Sequence, residues 1–265
     1  MQIKPHPALA HLVRHYLVLD GLQPVGGVHR LFADGNTGMV FNLGNAALST
    51  VGNGLAVNSC WLYGQVKTFH DISLTGNINW IVVVFQPYGA SHLWGVPATE
   101  WVNCFFPAAE VLRSRVQDVC QALIKTAQLS ERVQRLDNFL LREMNKCKTP
   151  DPIIVQAVNY IVQYQGLVSV ELLLQTLFVS ERTLERKFRQ AIGISPKRFI
   201  DIVRLNISAK RLQQMKEKRR LTGIAYDSGY FDQAHFTKEF KKTTGVTPQQ
   251  YHEQVHPLAL NFFRI

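Results

Sequence analysis

The stretch FRQAIGISP, residues 188–196, returns as FKKTTGVTP at 240–248. In full, SERTLERKFRQAIGISPKRF (180–199) aligns on DQAHFTKEFKKTTGVTPQQY (232–251) without a gap, at one constant offset (240 − 188 = 52). The shared pattern is a polar cap, Leu or Phe, Arg or Lys, Phe, a basic residue, Gly, Ile or Val, Ser or Thr, and Pro. So many ordered positions repeating at one offset describe a single structural unit used twice.

Each unit reads as a capped helix of about three turns. Ser180 and Asp232 have the side chains of helix N-caps, and Gly193 and Gly245 can end the helices in a left-handed C-cap. On the first helix Leu184, Phe188 and Ile192 share one face; Arg182, Glu185, Arg186 and Arg189 fall opposite. On the second, Phe236 and Phe240 lie inside, while Ala234, Thr237, Lys238 and Lys241 face out. A short helical pattern precedes each, SVELLLQTLF (169–178) and LTGIAYDSG (221–229), which gives the helix-turn-helix order twice. Ala225 and Gly229 are small where two helices must approach. Between the units, SPKRFIDIVRLNISAKRLQQM (195–215) reads as one helix of about 21 residues, roughly 30 Å long at 1.5 Å per residue. That length approaches one turn of B-DNA, so both outer faces can be offered to successive major grooves.

The charge follows the repeats. The net charge is +10. Residues 1–110 hold four Lys/Arg against five Asp/Glu, whereas residues 180–242 hold sixteen against seven, a balance of +9. A polyanionic partner is therefore expected for the repeats alone. KEKRR (Lys216 to Arg220) suits either phosphate contacts or a solvated turn.

Upstream the reading changes. With 46% hydrophobic and 18% charged residues, the chain is globular, and 265 residues suit one large or two ordinary domains. TPDP (149–152) sets a boundary between a first domain, 1–149, and a second, 150–265. Turn signals such as ADGNTG, LTGN and QPYG separate short apolar runs, MVFNL, CWLYG and INWIVVVF, as in an antiparallel sheet or small barrel. A helix over about residues 7–17 is expected before it, and two helices over 108–147 after it. Ser130 is the expected cap of the second, whose stripe Val133, Leu136, Leu140 and Met144 suits either a dimer contact or packing on the barrel. No apolar run is long enough to span a bilayer and no signal-peptide core opens the chain, so a cytoplasmic protein without a membrane partner is expected. Cys60, Cys104, Cys120 and Cys147 form no CxxC pair, and the nine histidines form no HxH pair. Neither a metal site nor a cofactor is expected. Trp61, Trp80, Trp94 and Trp101 all fall in the first domain, as core or as the lining of a ligand pocket.

These motifs resemble the AraC/XylS transcriptional regulators, a family marked by two helix-turn-helix units joined by a linker helix. The resemblance covers about residues 152–252 and is strongest in IAYDSGYFDQAHFTKEFKKTTGVTPQQY. It implies that Arg182, Glu185 and Arg186 in the first unit, and Gln233, Ala234, His235 and Lys238 in the second, read bases. Arg204 matches an arginine usual in the family's linker helix. The chain departs from the pattern at Leu174 and Phe178, where Ala and Gly are usual, and at His252, where Arg is usual. HYLVLDG, LFADGNTGMVFNLG and FQPYGASHLWGVPA resemble the opening domain of those regulators that carry a cupin-like β-barrel sensor. The implied whole is α+β: a cupin-like barrel with a helical hairpin, then an all-α DNA-binding domain.

The implied function is sequence-specific regulation of transcription on double-stranded DNA. RNA polymerase, a small-molecule effector and a second copy of the chain are its open partners. The alternative is an architectural DNA binder, which needs basic surface but has no use for Glu185 or Gln233 as base-reading groups. A DNA-repair alkyltransferase would need a cysteine-rich zinc cluster, and no separate acid and base can be placed beside Ser91 for catalysis.

Overall fold

The computed structural model describes every residue except 22–26, 51–52, 56–59, 216–220 and 255–256. Its strands are β1 Gln2–Ile3, β2 Val13–Gly21, β3 Gly27–Phe32, β4 Gly38–Asn42, β5 Ala47–Thr50, β6 Asn53–Leu55, β7 Cys60–Tyr63, β8 Phe69–Thr75, β9 Ile78–Phe85, β10 Phe105–Pro107, β11 Pro257–Ala259 and β12 Phe262–Arg264. They form two six-stranded sheets, one in the order β1-β2-β9-β4-β7-β10 and one in the order β11-β12-β3-β8-β5-β6. INWIVVVF shows why the first sheet sits at the centre. As β9 it is paired on both edges, by β2 and β4. Trp80, Val82 and Val84 face the second sheet, while Ile81, Val83 and Phe85 face a helical layer. A strand covered on both faces is apolar throughout, which is why the run does not alternate.

The helices are α1 Gly89–Trp94, α2 Ala109–Leu112, α3 Ser114–Lys125, α4 Leu129–Met144, α5 Pro152–Gln163, α6 Val170–Leu177, α7 Glu181–Ile192, α8 Pro196–Gln213, α9 Leu221–Asp227, α10 Gln233–Thr244 and α11 Pro248–Gln254. The stripe of α4 is turned inward: Leu136, Phe139 and Leu140 are buried, with Val133 and Met144 packed beside them. Tyr16 Oη donates to Asp137 at 2.6 Å and ties α4 to β2. The buried Glu143 is held between Arg115 at 2.7 Å and Lys146 at 2.6 Å.

Five expectations give way here. The fold is α+β, but among the described residues no closed barrel forms; the strands make two open sheets, each ending in strands of two or three residues. The helix expected over residues 7–17 is only a 3₁₀ turn, Pro7–Leu9, because from Val13 onward the chain pairs with β9 up to Gly21, and that ladder outweighs a helical pattern. The first of the two helices after the sheet breaks at Arg113, φ 54°, into α2 and α3. Ser130 does not cap the second: α4 begins one residue earlier, and its N-cap position is Gln128, which makes no side-chain cap bond. The linker is a single helix, α8, but of 18 residues and so roughly 27 Å.

The halves of the chain share one core. A single buried cluster runs from Tyr16, Val83 and Phe85 through Leu136 and Leu140 to Ile154, Leu184, Phe188 and Ile202. β12, from the last residues of the chain, pairs with β3 in the second sheet. A third cluster joins Phe32 of that sheet and Phe263 of β12 to Phe236, Phe240 and Tyr251.

Candidate nucleic-acid interface

The two repeats fold as the same unit. Ser180 Oγ accepts from Thr183 N at 3.3 Å, and Asp232 Oδ1 accepts from His235 N at 2.7 Å, so both N-caps form. Both helices end on glycine in the left-handed region, Gly193 at φ 89° and Gly245 at φ 77°. Leu184, Phe188, Ile192, Phe236 and Phe240 are fully buried, each worth about 1.5–3 kcal/mol of burial. Their burial fixes the opposite faces outward.

The C-cap glycines also set direction. A β-carbon on Gly193 would come within 2.8 Å of Ala98 O and 2.7 Å of Val102, in the 3₁₀ turn Ala98–Trp101 and the residue after it. One on Gly245 would strike Arg30, whose guanidinium lies 4.1 Å over Phe69 and grips Asp71 at 2.6 Å. Helix α7 therefore seats its C-terminal end on the 3₁₀ turn, and α10 seats its C-terminal end on the second sheet. Their N-terminal ends, which carry the candidate reading residues, point away from those seats.

At those ends Arg182, Arg186, Gln233, Ala234, His235 and Lys238 are exposed. Glu185 is half-buried, with Arg189 at 3.6 Å. Gln233 is tethered, its Oε1 accepting from Thr222 Oγ1 at 2.6 Å, and His235 meets the Tyr230 ring edge-on at 5.6 Å. Arg204 does not join them. It bonds Asp201 at 2.8 Å and lies 4.8 Å over Tyr230, stapling α8 to the second unit. The KEKRR stretch lies outside the described residues.

Two exposed aromatics escape a reading of the sequence. Phe178, 93% exposed, closes α6 in the left-handed region at φ 52°. Phe231, 84% exposed, stands just before the Asp232 cap. The signal for Phe231 was present: Tyr230 already fills the core position, so a second aromatic has nowhere to go but out.

Between the sheets lies a cavity of about 180 Å³. Its apolar wall includes Leu17, Val82, Trp61, Trp80, Phe105 and Phe262, and its polar end includes Arg14, Asp34, Asn36 and Asn206. Trp61 and Trp80 meet edge to face at 5.5 Å, and Trp80 Nε1 donates to Asn42 Oδ1 at 3.1 Å, leaving its ring faces for packing. Trp94 and Trp101 lie instead on the helical side, near Phe85 and Phe106. His15, at the cavity, is held below the ordinary histidine range by burial and by Arg14, against a weaker pull from Asp34. Burial pushes the Cys60 and Cys120 thiols up. Among the described residues no disulfide, no three-ligand metal cluster and no helix long and apolar enough to cross a membrane occurs.

Residues 173–254 match the family described as Helix-turn-helix domain, and residues 1–107 match a domain of unknown function (DUF6597). The chain is 37% identical over 86 residues to an uncharacterized HTH-type transcriptional regulator of Haemophilus influenzae, covering 32% of this chain and 28% of that protein. It is 34% identical over 73 residues to the transcriptional activator RhaS of Pectobacterium carotovorum, 28% of this chain and 25% of RhaS. These matches span only about a quarter of each relative. The arabinose operon regulatory protein of Escherichia coli matches more widely, 26% identical over 196 residues, 67% of this chain and 66% of that one. A crystal structure of ToxT from Vibrio cholerae, bound to a naphthalenyl butenoic acid, shares the fold at TM-score 0.50 and 16% identity, over 89% of this chain and 97% of ToxT. The duplicated, doubly capped unit seen in the fold lies within the residues that match the helix-turn-helix domain, and across it the chain is similar to helix-turn-helix transcriptional regulators of the AraC/XylS type.

Proposed function

We propose that this chain is a sequence-specific, DNA-binding regulator of transcription that reads double-stranded DNA with the N-terminal ends of α7 and α10. One observation carries the reading: both helices are buried on one face, seated at their C-termini and free at their N-termini, where base-reading side chain types are exposed. Arg182, Arg186 and Lys238 suit guanine edges and phosphates, Gln233 suits adenine, and Glu185 suits cytosine. Ala234 suits a thymine methyl, and His235 borders the same edge. The 27 Å linker helix spaces the two units for successive major grooves on one side of the duplex.

The first 149 residues serve in this reading as a sensor whose cavity, lined also by Asn206 and residues 259–262, takes a small effector, and residues 150–265 carry the DNA-binding units. Aromatic walls with a few convergent polar groups support that role for the cavity. A dimer would need a surface other than the α4 stripe, which the fold has consumed.

The test is selection of duplexes by the full chain from a random-sequence pool. The proposal expects enrichment of a motif with two separated conserved blocks. Retention of the pool without enrichment would make the protein an architectural binder.

A further inference from the structure

The last residues of the chain do what neither helix-turn-helix unit requires. β11 and β12 form a hairpin, and β12 extends the second sheet, pairing Phe262 with Leu31, Phe263 with Arg30 and Arg264 with His29. Successive side chains on a strand point to opposite faces, so Phe262 and Phe263 look in opposite directions. Phe262 faces inward and lines the cavity, stacked on Trp80 at 6.1 Å and on His29 at 5.4 Å. Phe263 faces outward, fully buried against Phe32 at 6.2 Å and Tyr251 at 5.9 Å. Tyr251 packs on Phe240, the buried side of α10, at 5.5 Å. The hairpin turn is fastened on both sides: Tyr251 Oη donates to Leu260 O at 2.6 Å, and Asn261 Nδ2 donates to Phe32 O at 3.1 Å. Leu260 and Asn261 themselves line the cavity.

The cavity also constrains its occupant. An apolar cavity of about 150 Å³ takes up benzene; this one, at about 180 Å³, has room for one ring and a small polar group. Five aromatic side chains line it. At the polar end, Asn206 Nδ2 donates to Ala33 O and to Ile202 O, both at 2.9 Å, while its buried Oδ1 has no partner among the described residues. An acceptor left bare there calls for a hydrogen-bond donor on the ligand.

We propose that the C-terminal hairpin is a wall of this ligand site and couples it to the second helix-turn-helix: Phe262 packs on a compact ring-bearing ligand with a hydrogen-bond donor at one end, and Phe263 passes its presence to Tyr251 and α10. The proposal rests on reading the cavity as an effector site.

The experiment uses the full chain without DNA and 4-methylphenol as the probe. Emission of Trp61 and Trp80 reports binding, and hydrogen exchange followed by mass spectrometry reports residues 257–265 and 240–251. Saturable binding is expected, with slower exchange in both segments. Phe262→Ala should weaken binding by about tenfold. Phe263→Ala should bind within about threefold of the parent chain yet lose the slowing at 240–251. If Phe263→Ala fails to fold, Phe263→Leu, which keeps the volume and removes the ring contact, serves in its place. Absence of saturable binding, binding unchanged in Phe262→Ala, or slowing at 240–251 that survives loss of the Phe263 ring would each overturn the proposal. A chain that passes this test but enriches no motif from the random pool would fail as a DNA reader and leave the hairpin's role standing; the reverse outcome would do the opposite.

Discussion

At Phe178 the backbone takes a left-handed conformation, φ 52° and ψ 44°, on a residue that is 93% exposed. The family pattern has Gly there, and the departure costs about 1–2 kcal/mol of backbone strain with no burial to offset it. Phe178→Gly should therefore stabilise the first unit by up to about 1 kcal/mol in denaturant unfolding, since glycine's extra unfolded-state freedom takes back part of the gain. Gly193 and Gly245 stand at the other extreme. Each has positive φ and no room for a β-carbon, so Gly193→Ala should destabilise by more than the about 1 kcal/mol that separates Ala from Gly at an unstrained helical site. Equal stability of the parent chain and Gly193→Ala would contradict the seating of α7 on the 3₁₀ turn. A pH effect belongs to this scale too. Burial holds His15 and His29 below the ordinary histidine range, aided by Arg14 and Arg264 respectively, while Asp34 and a backbone bond at Gly27 pull the other way. A histidine pKa depressed by folding means that the unfolded chain binds protons more readily. The stability is full above about pH 6.5 and is lost as pH falls below it. Melting temperature should drop between about pH 7.5 and about pH 5.5, and less so in a His15→Gln/His29→Gln variant; an unchanged parent melting temperature would count against the buried placement of both rings.

At the scale of elements, the parts that sequence predicts well are those with local punctuation. Ser180, Asp232, Gly193 and Gly245 each occupy the cap position their chemistry suits, and the apolar spacing between them fixes which face is buried. Elements decided by distant partners were less legible. Residues 7–17 carry a helical pattern, yet β9 draws residues 13–17 into a ladder. Arg113 offers no local sign of a break, yet adopts φ 54° between the two helices. The sheet order was not readable either, because β12 comes from the far end of the chain and PLALNFFRI does not announce a partner more than two hundred residues away. The proposed reading residues were legible as an outward face, but Gln233's tether to Thr222 and the exposure of Phe231 depend on how α9 meets α10. Since the tether holds Gln233 Oε1, Thr222→Val should loosen discrimination at one base pair, by about 1 kcal/mol in competition binding. No change in the preferred base would place Gln233 outside the readout.

The whole molecule behaves as one body in this account. The main buried cluster passes without interruption from the first sheet through α4 and α5 to α7 and α8, and the last strand returns to the second sheet. The protein should therefore unfold in one calorimetric transition; two separated transitions would show that the units are held together less closely than their shared core implies. Charge is the exception to this unity. The excess of sixteen Lys/Arg over seven Asp/Glu is confined to residues 180–242, so affinity for any duplex should fall with log salt at about −0.9 per neutralised phosphate.

Preference between duplexes is a separate matter, and it tests the tandem reader directly. The measurement is equilibrium binding of the parent chain, Arg186→Ala and Lys238→Ala to the selected duplex and to two forms of it, each with one block scrambled. Each substitution should cost about 1–3 kcal/mol, or about 5- to 150-fold, on the selected duplex. Arg186→Ala should become indifferent to scrambling of one block and stay sensitive to the other, with the blocks exchanged for Lys238→Ala. If instead both variants lose affinity equally for all three duplexes, the two helices grip phosphates without reading bases.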